Sequence, residues 1–249
     1  MLSSVGWAAL GVGFIFLMTS LGAASVLFCR EDTLPKSQTG MRGFAGGVMT
    51  AASVWSMLLP AIEQTRAEGI FPCWLPAAAG TAAGAAFLCA LDALILRLRR
   101  GGSAEKSSML MTAITLHNIP EGMAVGLAFA LSGGSDGLTA AAALALGIGV
   151  QNVPEGAAVS LPLRRMGMGR GRAFSMGVLS GAVEPLFGML AVIAVSGISR
   201  IMPWLLGFSA GAMLYVVVCE LIPAADDRRG LFWYVAGFLL MMILDVALG

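Results

Sequence analysis

Two related segments of the sequence decide the fold: HNIPEGMAVGLAF at residues 117–129 and QNVPEGAAVSLPL at residues 151–163. They are identical at 7 of 13 positions. Each places a Pro-Glu-Gly sequence within a long apolar run, where an ionisable side chain is costly and usually functional. The duplication predicts two membrane-spanning helices that carry equivalent polar groups.

The composition of the whole chain fits a membrane protein. Of its 249 residues, 58% are hydrophobic and 12% are charged, whereas soluble domains carry about 25% charged residues. This excludes a soluble enzyme, and a net charge of +1 gives no basic excess for nucleic acid. The short alternating strands of a membrane β-barrel are absent from the sequence. We therefore expect an all-α integral membrane protein in the lipid bilayer, with no nucleic-acid partner.

Eight apolar runs are long enough to cross about 30 Å of hydrocarbon as helices. We predict transmembrane helices at residues 5–28, 42–63, 73–96, 108–132, 138–163, 173–198, 201–223 and 231–248. The segments between them are short and polar, so residues 1–249 are predicted to form a single eight-helix transmembrane domain. The turn between the sixth and seventh spans is placed around Arg200. The first run is expected to be a span rather than a removable signal peptide.

The distribution of Lys and Arg predicts the orientation, because short loops rich in these residues stay in the cytoplasm. Of the 15 such residues, 13 lie after odd-numbered spans and only Arg66 and Arg200 lie on the opposite side. Both termini are therefore predicted to be extracytoplasmic, and the two copies of the motif to be antiparallel. A weaker repeat links FAGGVM at 44–49 with FSAGAM at 208–213. Inverted repeats are typical of secondary transporters with a site near the bilayer midplane.

Seven polar residues on the fourth, fifth and sixth spans are predicted near the centre of the bilayer. They are His117, Asn118, Glu121, Gln151, Asn152, Glu155 and Glu184. In both motifs the first residue and the glutamate are four residues apart, which puts them on one helix face. Prolines beside these groups are expected to kink the helices, and irregular backbone at this depth is stable only inside protein or along a cavity.

The three glutamates need charge compensation, because no Lys or Arg lies at a comparable depth. Protons or a bound cation can supply it, and one divalent ion does so with a single atom. A histidine with carboxylates and amide oxygens, and no thiolate, suits Zn²⁺, Fe²⁺ or Mn²⁺ better than Cu⁺.

Five further residues are candidates for the route of an ion through the bundle. They are Met49, Ser56, Glu63, Glu220 and Asp245. Glu220 is predicted near the cytoplasmic end of the seventh span, and Glu63 and Asp245 toward the outside. A packing or interfacial role is the alternative for each of these residues, and Asp92 is expected to pair with a neighbouring side chain.

Four motifs together resemble those of the ZIP (Zrt/Irt-like protein) family of divalent metal transporters, close to its bacterial GufA-type branch. They are HNIPEG at 117–122, QNVPEG at 151–156, VEPLFG at 183–188 and CELIPA at 219–224. The resemblance covers nearly the whole chain. It implies uptake of divalent transition metals, principally Zn²⁺, into the cytoplasm by eight helices with outward-facing termini. It also implies a homodimer and a multi-pass protein of the bacterial inner membrane.

The resemblance further implies a site for two metal ions bridged by glutamates of the fourth and fifth spans. Carried over by position, the first ion has the ligands His117, Glu121, Gln151 and Glu155. The second ion has Asn118, Glu121, Asn152, Glu155 and Glu184. Many ZIP proteins have histidine at the position of Gln151, and a histidine-rich loop where this chain has residues 97–108.

Three other functions are alternatives to a zinc importer. The first is a carrier of low selectivity for Fe²⁺, Mn²⁺ or Cd²⁺. The second is an intramembrane metallohydrolase, which would require more histidines and often an HExxH motif, neither of which is present. The third is a proton- or sodium-coupled carrier of organic solutes, which would favour a buried arginine or aromatic cluster. We therefore expect a transporter and no enzymatic activity.

Overall fold

The computed structural model describes residues 4–28, 34–98, 104–132, 134–165, 167–225 and 227–248. Most of these residues form helices, and none of those described forms a β-strand. The helices are α1 (Ser4–Phe28), α2 (Leu34–Ala52), α3 (Leu59–Ala67), α4 (Leu75–Leu98), α5 (Ala104–Leu131), α6 (Gly134–Arg165), α7 (Arg170–Gly181), α8 (Val183–Ile193), α9 (Val195–Val216) and α10 (Arg228–Leu248). A π-helical turn at Ser53–Leu58 joins α2 to α3, and another at Val217–Leu221 extends α9.

Seven helical stretches within the described ranges are long and apolar enough to cross a membrane. They are Ser4–Phe28, Thr39–Ala67, Leu75–Leu94, Gly137–Arg165, Arg170–Ile193, Arg200–Leu221 and Arg228–Ala247. Each corresponds to one predicted span. The remaining predicted span, the fourth, corresponds to α5, in which Asn118–Leu131 is a shorter apolar segment. The prediction of an all-α, multi-pass membrane protein is confirmed.

The sixth predicted span consists of two helices. α7 ends at Gly181 and α8 begins two residues later, with Ala182 between them. Pro185 lacks an N–H and cannot donate to the carbonyl of Gly181, which explains the interruption at this point. By contrast, α5 and α6 continue through Pro120 and Pro154. The prolines of the two repeated motifs therefore remove a hydrogen bond without ending the helix.

The turn before the seventh span lies at Ala194 and not around Arg200, so that prediction is wrong. Ala194 has φ −101° and ψ 28°, which interrupts the helix. α9 begins directly after it and includes Arg200. Ser196 and Gly197, whose residue types favour a loop, lie in the first turn of α9 instead. Intrinsic propensity is a weak determinant that tertiary context overrides.

Close helix packing positions the predicted site. α1 packs against α5, α6, α7 and α8, and α5 packs against α6 and α8. A Cβ at Gly122 of α5 would lie 2.7 Å from Glu184 Cα of α8. A Cβ at Gly156 of α6 would lie 2.7 Å from the backbone nitrogen of Ala23 in α1. These glycines let the backbones of the site-bearing helices approach closely, as small residues do between membrane helices.

The weaker repeat has the same local structure on the second and seventh spans. On each, a π-helical turn begins nine residues after the first phenylalanine of the repeat, at Ser53 and at Val217. A proline shortly after each turn leaves a carbonyl of that turn without its intrahelical donor. Ser56 and Glu220 occupy equivalent positions in the two turns, and π-helical turns are frequent at functional sites.

Candidate metal-binding site

Six of the seven predicted ligand residues have side chains that are 0% exposed. They are Asn118 and Glu121 on α5, Gln151, Asn152 and Glu155 on α6, and Glu184 on α8. The backbone of the seventh, His117, belongs to α5, and its side chain lies outside the described residues. Buried carboxylates need compensation by hydrogen bonds, protons or a cation. Their complete burial therefore distinguishes these six residues from polar side chains that are solvated at the protein surface.

A hydrogen bond joins the two copies of the repeated motif. Gln151 Nε2 donates to Glu121 Oε1 at 2.5 Å, between α6 and α5. Gln151 occupies the motif position that His117 occupies in the other copy. The contact uses the amide nitrogen, and Gln151 Oε1 is buried without a donor among the described residues.

The two asparagines of the motifs are oriented by backbone carbonyl groups of neighbouring helices. Asn118 Nδ2 donates to the carbonyl oxygen of Ser180 at 3.1 Å, and Asn152 Nδ2 to that of Ile15 at 3.4 Å. Both Oδ1 atoms are buried and accept no hydrogen bond within the described part of the chain. Each asparagine therefore uses its N–H for orientation and keeps its oxygen available for another partner.

Glu184 lies in the first turn of α8, directly after the break at Ala182. A helix N-terminus favours a carboxylate because its free N–H groups carry partial positive charge. Thr19 Oγ1 of α1 donates to Glu184 Oε1 at 2.7 Å, while Glu184 Oε2 has no donor among the described residues. The carboxyl group is also near enough to Glu155 and to the Asn152 side chain to interact electrostatically with both.

Thr19 is part of this cluster although the sequence does not single it out. A threonine in an apolar helix commonly bonds a carbonyl one turn earlier, and Thr19 Oγ1 does lie 3.2 Å from the carbonyl oxygen of Ile15. Only the packing of α1 against α8 brings Glu184 within reach. No local pattern could have predicted the contact.

Four buried oxygens of the cluster lack a hydrogen-bond donor in the described chain. They are Asn118 Oδ1, Gln151 Oε1, Asn152 Oδ1 and Glu184 Oε2. An unsatisfied buried polar group costs about 1–3 kcal/mol, so four of them on three adjoining helices favour a partner outside the described residues, such as a bound cation. No three His, Cys, Asp or Glu side chains among those described group closely enough to hold an ion. The cluster also contains amide oxygens, which are hard ligands for a cation.

The residues predicted along the ion route lie on α2, α3, α10 and the two π-helical turns. Met49 and Ser56 are buried, Glu63 is exposed, and Glu220 is half-buried. Ser56 Oγ donates to Asp245 Oδ1 at 2.9 Å, which links the second span to the eighth. The structure thus brings Ser56 and Asp245 into direct contact.

Asp92 has the neighbouring partner that the sequence predicts. Tyr215 OH donates to Asp92 Oδ2 at 3.1 Å, which links α4 and α9. The prediction of a paired carboxylate is confirmed, and a contact between two helices accounts for this aspartate without an ion.

The comparison with protein families identifies the group to which these helices belong. Residues 97–245 match the family model described as ZIP Zinc transporter. The chain belongs to the ZIP family. The ZIP match includes the whole of α5, α6, α7, α8 and α9. It therefore spans every helix of the buried cluster except α1. The family resemblance inferred from the motifs is confirmed.

Relatives in the ZIP family align with most of the chain. Zinc transporter ZIP11 of Homo sapiens is 34% identical, with 99% of this chain and 98% of the relative covered. Zinc transporter GufA of Myxococcus xanthus is 38% identical, with 93% and 94% covered. Zinc transporter ZIPB of Bordetella bronchiseptica is 37% identical, with 98% and 82% covered. These ZIP proteins are named as transporters and not as enzymes, which removes support from the metallohydrolase alternative.

Proposed function

We propose that this ZIP-family chain carries divalent transition-metal ions, principally Zn²⁺, into the cytoplasm through a two-ion site between α5, α6 and α8. The relatives in Homo sapiens, Myxococcus xanthus and Bordetella bronchiseptica are named zinc transporters, which supports zinc as the substrate. The observation that carries the proposal is the set of buried oxygens that have no hydrogen-bond donor among the described residues. A divalent cation is the partner that binds several such oxygens at once.

The first ion is proposed to bind Glu121, Gln151, Glu155 and, from the sequence, His117. Glu121 and Gln151 already meet between α5 and α6. When the ion enters, Glu121 Oε1 exchanges its amide donor for the metal, and Gln151 turns its free oxygen toward the same ion. The neutral amide makes this site weaker for zinc than a second imidazole would.

The second ion is proposed to bind Asn118, Asn152 and Glu184, and to share Glu121 and Glu155 with the first. The three carboxylates do not group closely enough to hold an ion in this structure, so they are proposed to move together when the ion enters. Asn118, Asn152 and Glu184 each have one polar atom hydrogen-bonded to a neighbouring helix. Each also has one buried oxygen for which the described part of the chain supplies no donor. Such outer hydrogen bonds orient the ligands of metal sites and are worth about 10–100-fold in affinity or activity. These contacts therefore support a preorganised orientation of the three side chains.

Low selectivity among divalent metals is the second candidate function, and Gln151 is the observation that favours it. Carboxylate and amide oxygens also suit Mn²⁺ and Fe²⁺. A site of this kind binds zinc moderately, and transport requires binding strong enough to load and weak enough to release.

The route and orientation complete the proposal. We place Met49, Ser56, Glu63 and Asp245 on the path of the ion, with Glu63 and Asp245 toward the outside, and Glu220 at the cytoplasmic exit. Residues 1–249 form one transmembrane domain with both termini outside, and two copies assemble in the bacterial inner membrane. The charge distribution supports the orientation, and the ZIP resemblance supports the dimer and the location.

Cysteine labelling tests the orientation. In a chain whose four native cysteines are replaced by serine, Glu68→Cys adds a thiol in the exposed turn after α3, and Gly169→Cys adds one before α7. A Cβ at Gly169 would meet no atom within 4 Å. A membrane-impermeant maleimide added to intact cells is expected to label only the first variant. Labelling of only the second would reverse the orientation.

Uptake of radioactive zinc by the purified chain in liposomes tests the function. The wild type is expected to accumulate zinc, and Glu155→Gln to lose most of the uptake because it removes a shared charged ligand. Glu68→Gln is the matched control, because Glu68 is exposed and should transport as the wild type does. Equal uptake by all three chains would contradict the proposed site, and no zinc uptake above that of empty liposomes would contradict the proposed substrate.

A further inference from the structure

One turn of α1 contacts two proposed ligands of the second ion, although α1 itself supplies no ligand. The carbonyl oxygen of Ile15 accepts from Asn152 Nδ2 at 3.4 Å, and Thr19 Oγ1 donates to Glu184 Oε1 at 2.7 Å. All four side chains are 0% exposed. The first span therefore forms an outer layer behind the second-ion ligands.

The Thr19 hydroxyl has one hydrogen and two acceptors within reach. Glu184 Oε1 is 2.7 Å away and the carbonyl oxygen of Ile15 is 3.2 Å away. The shorter contact, to a carboxylate, is the stronger, because charge-assisted hydrogen bonds are shorter and roughly twice as strong as neutral ones. By contrast, the buried Thr65 donates to the carbonyl oxygen of Ala61 in its own helix, at 2.7 Å.

Close packing fixes the rotamer that aims this hydroxyl. A Cβ at Gly181 would lie 2.8 Å from Thr19 Cγ2, so the methyl group fills the space beside the glycine. A β-branched side chain in a helix has few χ1 choices. With the methyl group held against Gly181, the hydroxyl is directed toward Glu184.

We propose that Thr19 is a positioning residue that holds one oxygen of Glu184 and thereby presents the other to the second ion. The inference rests on the proposed two-ion site. Glu184 Oε2 is the buried carboxylate oxygen without a donor in the described chain. A bond to Oε1 restricts rotation of the carboxylate plane, so the free oxygen is preorganised for the metal. Losing the bond weakens binding of the second ion selectively, because the side-chain partner of Thr19 is Glu184, which is proposed as a ligand of the second ion and not of the first.

Zinc titration calorimetry on the purified chain tests this role. Thr19→Val keeps the branched shape of the side chain and removes the hydroxyl. It is expected to lower the affinity for the second ion by about tenfold or more, and to change the affinity for the first ion by less than about twofold. Thr19→Ser restores a hydroxyl without the methyl group and should recover most of the second-ion affinity. Thr65→Val removes a buried threonine hydroxyl elsewhere and should bind both ions as the wild type does.

Several outcomes would overturn the inference. The first is that Thr19→Val binds the second ion as tightly as Thr65→Val does. The second is that Thr19→Val lowers the affinity for both ions equally. The third is that Thr19→Ser binds the second ion as weakly as Thr19→Val does. If Thr19→Val does not fold, as judged by thermal unfolding, Thr19→Ala and Thr19→Ser supply the same comparison. A wild type that binds a single ion overturns the two-ion site together with this inference. Two ions in the wild type with an unaffected Thr19→Val overturn this inference alone.

Discussion

Gly122 packs directly against the backbone of Glu184, and replacing it by alanine perturbs the proposed site without removing any ligand. A Cβ at this position would lie 2.7 Å from Glu184 Cα, whereas carbon atoms prefer a separation of about 3.5–4.0 Å. Gly122→Ala is therefore expected to force α5 and α8 apart by about 1 Å. The adjacent Glu121 moves with α5, so its position relative to Glu184 changes by a similar distance.

A shift of this size exceeds the tolerance of a metal site, whose ligand distances vary by only about 0.2 Å. The second zinc ion is expected to bind at least about tenfold more weakly in Gly122→Ala, and most of the zinc uptake should be lost. Overpacking also destabilises a protein by about 1–3 kcal/mol. Binding is therefore measured by calorimetry, and uptake in liposomes, at a temperature where circular dichroism shows the variant to be folded.

Gly13→Ala is the matched control, because a Cβ at Gly13 of α1 would meet no atom within 4 Å. Alanine there should leave binding and uptake unchanged and should stabilise the helix by up to about 1 kcal/mol. A folded Gly122→Ala chain that binds two zinc ions as tightly as Gly13→Ala, and transports at the same rate, would refute the reasoning.

Three further predictions concern the ligands themselves. Glu121→Ala and Glu155→Ala should each abolish zinc uptake in liposomes, while His117→Ala lowers it less, because the glutamates serve both ions and the histidine serves one. Equal and mild effects from all three would contradict the shared ligands. Zinc affinity should fall as the pH is lowered from about 7.5 to about 5.5, because protons compete with the metal for histidine and carboxylate ligands. A calorimetric affinity that stayed constant over that range would be inconsistent with this set. Gln151→His should tighten zinc binding, lower both KM and the maximal rate, and reduce manganese and iron uptake relative to zinc, since imidazole is a softer ligand. If the affinity, the rate and the order of metal preference were unchanged, Gln151 would not be a metal ligand.

The burial of the motif residues was predictable because spacing determines which side chains share a helix face. Glu121 and Glu155 occupy the same place in two copies of one motif, and their charges within apolar runs indicated an interior site. Glu184 was predicted from its depth in the sixth span and from the VEPLFG motif, and the structure adds that it lies in the first turn of a new helix after Ala182. Pro185, which follows Glu184, is the sequence feature that indicates this break.

The contacts that orient these groups could not be predicted, because they join helices far apart in sequence. Thr19 and Glu184 are separated by 165 residues, and Asn152 bonds a backbone carbonyl of Ile15, which no residue type reveals. The turn at Ala194 was missed for another reason. Ser196 and Gly197 favour loops only weakly, and the helix that contains Arg200 incorporates both.

The positions of zinc ions in crystals, measured by anomalous diffraction at the zinc absorption edge, test the two-ion site most directly. Two peaks about 3.5–4 Å apart are predicted between α5, α6 and α8. One should lie within bonding distance of Gln151, and the other within bonding distance of Asn118, Asn152 and Glu184. A single peak in this region, or zinc bound only elsewhere in the fold, would contradict the account.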